Sequence, residues 1–197
     1  MTSSSLQALK LGMMSSKVLY TEMFNEREKA RTYLSEMKTC MDSLKLKTIS
    51  SYKSLYAYIN KSKDLDYLVF RTGAYIEQVK DHCFNQGKID QLVFIYTGDW
   101  IESMRLLVAE TLKKHNISLK HRILEQDLII EQLLTLYQSL DQKGLVKQIQ
   151  LEIVKMKMII QKAKKINDNG EFIYSKLSRK KLKKMRKAIK TVSIRVR

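Results

Sequence analysis

The residues best equipped for chemistry lie at the C-terminal end. Arg179-Lys180-Lys181-Leu182-Lys183-Lys184-Met185-Arg186-Lys187 places seven cations in nine residues, and Lys176, Lys190, Arg195 and Arg197 extend the run. Lysine offers a flexible point charge, which suits sequence-independent contact with phosphate. Cations this close repel one another, and a polyanion relieves that repulsion while shedding its own counterions. As a helix the segment would gather Leu182, Met185 and Ile189 on one narrow face, with cations around the rest. Ser175 and Ser178 are candidate caps. Phe172 and Tyr174 precede the block; two rings are too few to read bases, and they are expected to anchor the segment to the body. Lys180-Lys181-Leu182-Lys183 also fits the loose pattern of a nuclear import signal.

Other constellations carry less. His121 and Glu125 stand one helical turn apart, with His115 upstream and His82-Cys83 elsewhere, but no Cys or His pair has zinc-type spacing. Asn167-Asp168-Asn169-Gly170 superficially resembles a calcium loop. Counting from Gly170 as the sixth loop position puts Lys165 and Lys176 at the first and twelfth, where carboxylates are required. No metal and no cofactor are expected. The chain has no phosphate-binding GxxxxGK loop, no GxGxxG and no Gly-x-Ser-x-Gly elbow. Asp64 and Asp66 flank Leu65 at a helix start, where acids favour the dipole without catalytic duty. The expectation is a non-enzyme without a small-molecule substrate.

The positive charge is concentrated. The chain of 197 residues has 37 Lys+Arg against 20 Asp+Glu, a formal net charge of +17. Eighteen of those cations and only three acids (Glu152, Asp168, Glu171) lie between Lys143 and Arg197, so the preceding residues are close to neutral. Such asymmetry implies an electrostatic extension on a nearly neutral body. Proline is absent, glycines number six and methionines ten, a composition that argues for helices. No apolar run approaches the roughly 18 residues of a membrane span, and no secretory leader is visible at the start. Cys40 and Cys83 are therefore expected as buried thiols in an intracellular protein, cytoplasmic or nuclear, that is not secreted.

These residues need elements to position them. From the N-terminus, steps of three and four connect Leu6, Leu9, Met13, Ser16, Tyr20, Met23, Arg27, Ala30, Leu34, Met37, Met41 and Leu44. That heptad stripe predicts one continuous helix from Ser4 to Leu46, about 60 Å long at 1.5 Å per residue. Its seam outruns each other helix available to cover it, so a homo-oligomer pairing through it is expected, antiparallel because Arg27 would otherwise meet its copy. Further helices are expected over Thr48–Asn60 and from the cap Asp64 to Asn85, the latter stopped by Gly87. Ile89–Tyr96 reads as a short buried helix, Thr97-Gly98 as a break, and Asp99 with Glu102 as a capping box opening Trp100–His115. Ile117–Gln142 forms a fifth segment and Leu145–Ala163 a sixth, ended by the turn at Asn167–Gly170. Val192, Ile194 and Val196 alternate with polar residues, as in a strand.

The resulting expectation is all-α: an elongated helical bundle with a long heptad-patterned N-terminal helix (1–46), a helical body (47–170) and a basic C-terminal extension (171–197). The expected function is structural, with RNA or DNA held through phosphates by Lys176, Arg179, Lys180, Lys181, Lys183, Lys184, Arg186, Lys187, Lys190, Arg195 and Arg197. The alternative is a matrix-type scaffold whose basic end touches an anionic membrane surface or an acidic protein partner.

Overall fold

The computed structural model describes residues 3–46, 57, 65–114, 116–141, 143–166, 172–174 and 177–194. The expected helix over Thr48–Asn60 except Ala57, the Asp64 cap, His115, the Asn167–Gly170 turn, Ser175, Lys176, Arg195 and Arg197 lie outside the described residues. The described residues are all-α but for one ladder of two three-residue strands, and the chain divides into two compact units, Thr2–Glu102 and Ser103–Arg197.

In the first unit, α1 (Ser3–Met23) and α2 (Arg27–Ser43) replace the single long helix that the heptad stripe predicts. The chain reverses at Asn25, whose φ is 55°. Asparagine tolerates this left-handed conformation better than most residues. The Asn25 amide donates to the Glu22 carbonyl (2.9 Å) and the Glu26 amide to the Thr21 carbonyl (2.8 Å), which closes α1 in a Schellman motif. Lys45 (φ 56°) closes α2 in the same way, and Gly87 (φ 65°) supplies the expected stop of α3 (Leu65–Asn85).

α2 folds back along α1, with the Lys10 ammonium 3.3 Å from Glu36 and the Lys17 ammonium 5.1 Å from the centre of the Tyr33 ring. The hairpin explains how the stripe can be apolar without a partner chain. Leu9, Met13, Ser16, Ala30, Leu34, Met37, Met41 and Leu44 are all buried within this unit. Leu6 and Tyr20 are half-buried, whereas Met23 is 62% exposed beside the turn. Arg27 is not a charge inside a seam: it is the first residue of α2, half-buried, and its Nε donates to the Asn25 side chain at 3.1 Å. The reason for invoking a second copy, a seam too long to be covered, disappears once the seam folds on itself.

α1 is buried on nearly every side, including Ser5, Ala8, Leu11, Met14, Ser15, Val18 and Thr21. Its other neighbours are α3 and α4 (Ile89–Lys114). From α3, Tyr75 donates its hydroxyl to the Met41 sulfur at 2.7 Å, and Thr72 donates to the Glu22 carboxylate at 3.0 Å. α4 runs unbroken through Thr97-Gly98, against the expected interruption. Gly98 is there to pack rather than to stop a helix, since a Cβ on it would strike the Leu9 carbonyl of α1. Cys40 and Cys83 are free and buried, and desolvation pushes the Cys40 thiol up to about 11.

In the second unit, the expected segment over Ile117–Gln142 is two helices, α5 (Ile117–Leu124) and α6 (Asp127–Gln138). Asn116 caps α5, accepting the Ser118 amide at 2.8 Å. No residue type marks the break at Glu125-Gln126. α7 (Gly144–Gln161) opens on Gly144, which takes φ 55°, and buries Ile149, Ile153, Met156 and Ile160. Lys157 of α7 reaches Glu131 of α6 at 3.1 Å. β1 (Lys164–Ile166) and β2 (Phe172–Tyr174) pair antiparallel, with Ile166 opposite Phe172, and Lys164 forms an ion pair with Asp127. α8 (Arg179–Ile194) is the last described element, and residues 191–194 are its last turn rather than the start of a strand.

Candidate functional site

α8 contains most of the cations that the sequence singles out. Ser178 opens it: its hydroxyl accepts the Lys181 amide at 3.3 Å, as expected of a capping serine. Leu182, Met185, Ala188, Ile189 and Val192 recur at the spacing of one helix face, and all five are buried. The basic extension is therefore a docked amphipathic helix where described, not a separate tail. Burial of five apolar side chains is what offsets the repulsion between its cations.

With that face committed to packing, the charges have one direction left. Arg179, Lys180, Lys183, Lys184, Arg186, Lys187 and Lys190 are exposed. Lys180, Lys183, Lys184 and Lys187 form one row, and Arg179, Lys183, Arg186 and Lys190 another, with neighbours about 5–6 Å apart at their Cβ atoms. Among the described residues no carboxylate makes an ion pair with any of these seven. Lys181 differs: it is half-buried and its ammonium donates to the Lys162 carbonyl at 2.8 Å, tying the start of α8 to the end of α7. The structure thus brings Arg179–Lys190 together on one helix. Lys176, Arg195 and Arg197 lie outside the described residues.

The packing of α8 on α7 also forms a groove of about 480 Å³. Its walls are Lys155 and Lys162 of α7 and its C-terminal flank, and Lys181, Lys184 and Lys187 of α8, with Met158, Ile159 and Ala188 between them. The two helices run antiparallel here, because Lys181 meets Lys162 at one end and Thr191 faces Glu152 at the other. Glu152 is the one acid on the groove, and Lys155 neutralises it at 2.7 Å. Lys155 and Lys162 are the functional candidates that a search for linear charge runs overlooks. They stand seven positions apart, two helical turns, with Glu152 diluting the local charge.

The first unit contains a second polar cluster, and its chemistry is structural. The Ser16 hydroxyl donates to the Asp99 carboxylate, and Lys80 lies 3.6 Å from Asp99 and 2.8 Å from Glu77, with its ammonium 4.6 Å from the centre of the Tyr96 ring. Desolvation opposes charge on this buried lysine, but Glu77 and Asp99 outweigh it and hold its pKa above the ordinary value. An ammonium kept charged cannot serve as the base that a serine nucleophile needs. The cluster ties α1, α3 and α4 together. Glu22 is a different case: one oxygen accepts from Thr72, the other is buried without a partner, and burial pushes its carboxyl up to about 7. Among the described residues no three His, Cys, Asp or Glu side chains come together as a metal site would require, and no described helix is long and apolar enough to cross a membrane. Comparison of the chain with protein-family models, with curated proteins and with solved structures finds no match.

Proposed function

We propose that this chain is a non-enzymatic nucleic-acid-binding protein that holds phosphates through α8 without reading base sequence. The observation that carries the reading is the division of α8 into two faces: five apolar residues packed inward and seven cations outward with no acid among them. Rows of cations at helical spacing suit a polyanion that presents many equivalent charges. A single small anion would use only one or two of them. Lysines outnumber arginines on this face, which favours point-charge contact over bidentate recognition of guanine.

The test is the salt dependence of binding by the full chain to a labelled 20-base-pair duplex. If six cations meet duplex phosphates, log K against log salt falls with a slope near about −5. Replacing Lys180, Lys183 and Lys187 together by Gln removes three exposed charges and should flatten the slope by about 2.7. A slope near zero, or an unchanged slope in the triple variant, would overturn the reading. Retention by phosphatidylserine vesicles without any nucleic-acid binding would assign α8 to a membrane surface instead.

A further inference from the structure

We infer that the α7–α8 groove is a seat for single-stranded nucleic acid, so that the protein prefers single strands to duplex. This rests on the phosphate-binding reading of α8 and adds the kind of strand it takes. Lysines occur along both walls: Lys155 and Lys162 on the α7 side, Lys181, Lys184 and Lys187 on α8. Between them lies an apolar floor of Met158 and Ile159, with Met158 48% exposed.

The distribution of charge selects the occupant. A lipid or fatty acid has one anionic end and asks for cations at one mouth and an enclosed apolar tunnel beyond. This groove is instead open over about ten residues of each helix, roughly 15 Å, with cations spread from Lys155 to Lys162 on one wall and from Lys181 to Lys187 on the other. A ligand that alternates anionic and flat apolar parts along its length matches it: phosphates against the lysines, bases over Met158 and Ile159. A duplex turns its bases inward and cannot lay them on Met158 and Ile159, so it gains phosphate contacts alone. With a thioether rather than a ring on the floor, base contact is weak and indifferent to sequence.

The experiment compares the full chain on a labelled 12-nucleotide oligo-dT and on a 20-base-pair duplex at about 100 mM salt. Oligo-dT should bind more tightly, at least about fivefold per binding site. Lys155→Gln with Lys162→Gln changes two exposed side chains on the α7 wall and leaves every cation of α8 in place. It should weaken oligo-dT about tenfold and change duplex binding less than about twofold. Met158→Trp, which offers a stacking surface, should tighten oligo-dT about tenfold and leave the duplex unaffected. Duplex bound as tightly as oligo-dT, or both ligands weakened equally by the double variant, would overturn the groove assignment and leave the α8 reading standing. Failure to bind either polymer, with or without capture by phosphatidylserine vesicles, would overturn both.

Discussion

Gly98 of α4 lies directly against the Leu9 carbonyl of α1, so closely that a Cβ on it would collide with that oxygen. The relationship is reciprocal: a Cβ on Gly12 of α1 would strike the Ile95 carbonyl of α4. Neither glycine has a left-handed φ, so each is present because two backbones touch. The Ser16 hydroxyl, shared between the Asp99 carboxylate and the Asp99 backbone carbonyl 2.9 Å away, lies beside the same crossing.

Three glycine substitutions should therefore separate by context. Gly12→Ala and Gly98→Ala each require two helix backbones to move apart and should cost several kcal/mol, at or above the roughly 1–3 kcal/mol usual for overpacking. Gly73→Ala in α3 meets nothing within 4 Å and gains helix propensity, so it should stabilise by about 0.5–1 kcal/mol. Urea unfolding of the three variants checks all of this. A stable Gly98→Ala would mean that α1 and α4 do not cross at these residues.

Glu22 makes stability depend on pH in an unusual direction. Its carboxyl is raised from 4.5 to about 7 in the folded state, so the fold binds a proton that the unfolded chain has released. Glu22 costs nothing below about pH 4.5, where both states are protonated. Its cost grows as pH rises to about 7 and stays constant above that. Replacement by Gln, which cannot ionise and can still accept from Thr72, should stabilise by roughly 2–4 kcal/mol at pH 8 and by almost nothing at pH 4. Thermal melts of both proteins at the two pH values give the comparison; equal gains at both would show that the carboxylate is not the source.

Leu34 and Met37 should behave as core residues of a hairpin rather than as an association seam. Both are essentially inaccessible, at 0% and 1% exposure. Leu34→Asp with Met37→Asp buries two unpaired charges and should unfold the first unit, with loss of helical circular dichroism at any protein concentration. A change confined to oligomer size, with helicity retained, would instead place these residues between chains.

The helical class, the face of α2, the stop at Gly87 and the inward face of α8 are all legible in the sequence. Each rests on local periodicity or on one residue's conformational preference. The hairpin at Asn25 is not legible in the heptads, because the steps of four, three and four from Met23 through Arg27 and Ala30 to Leu34 continue evenly across a turn of three residues. Only the αL tolerance of Asn25 marks it, and an asparagine amid charged residues reads equally well as solvated surface. Gly98 misleads for the opposite reason. Glycine has two uses, conformational freedom and absence of bulk, and the chain alone does not show which neighbour requires the second. The groove is hidden similarly, since Lys155 and Lys162 acquire meaning only when α8 is laid beside them.

The docking of α8 also sets what its removal should do. A solvated tail could be deleted without harm to the rest of the chain. Here Leu182, Met185, Ala188, Ile189 and Val192 are at most 5% exposed and help to bury α7. Truncation after Ile166 should lower the melting temperature and uncover apolar surface, at about 1.5–3 kcal/mol for each large side chain lost from the interface. Met185→Asp tests the same contact with the chain length unchanged: a charge in a site of 0% exposure should detach α8 and raise binding of a dye specific for exposed apolar surface. The cations of a detached α8 would remain on the chain, so duplex binding should persist with a salt slope close to the original. Single-strand binding should fall, because the groove needs both walls. Unchanged dye binding in Met185→Asp would mean that α8 is not packed through Met185, and the division of its cations into rows would have to be abandoned.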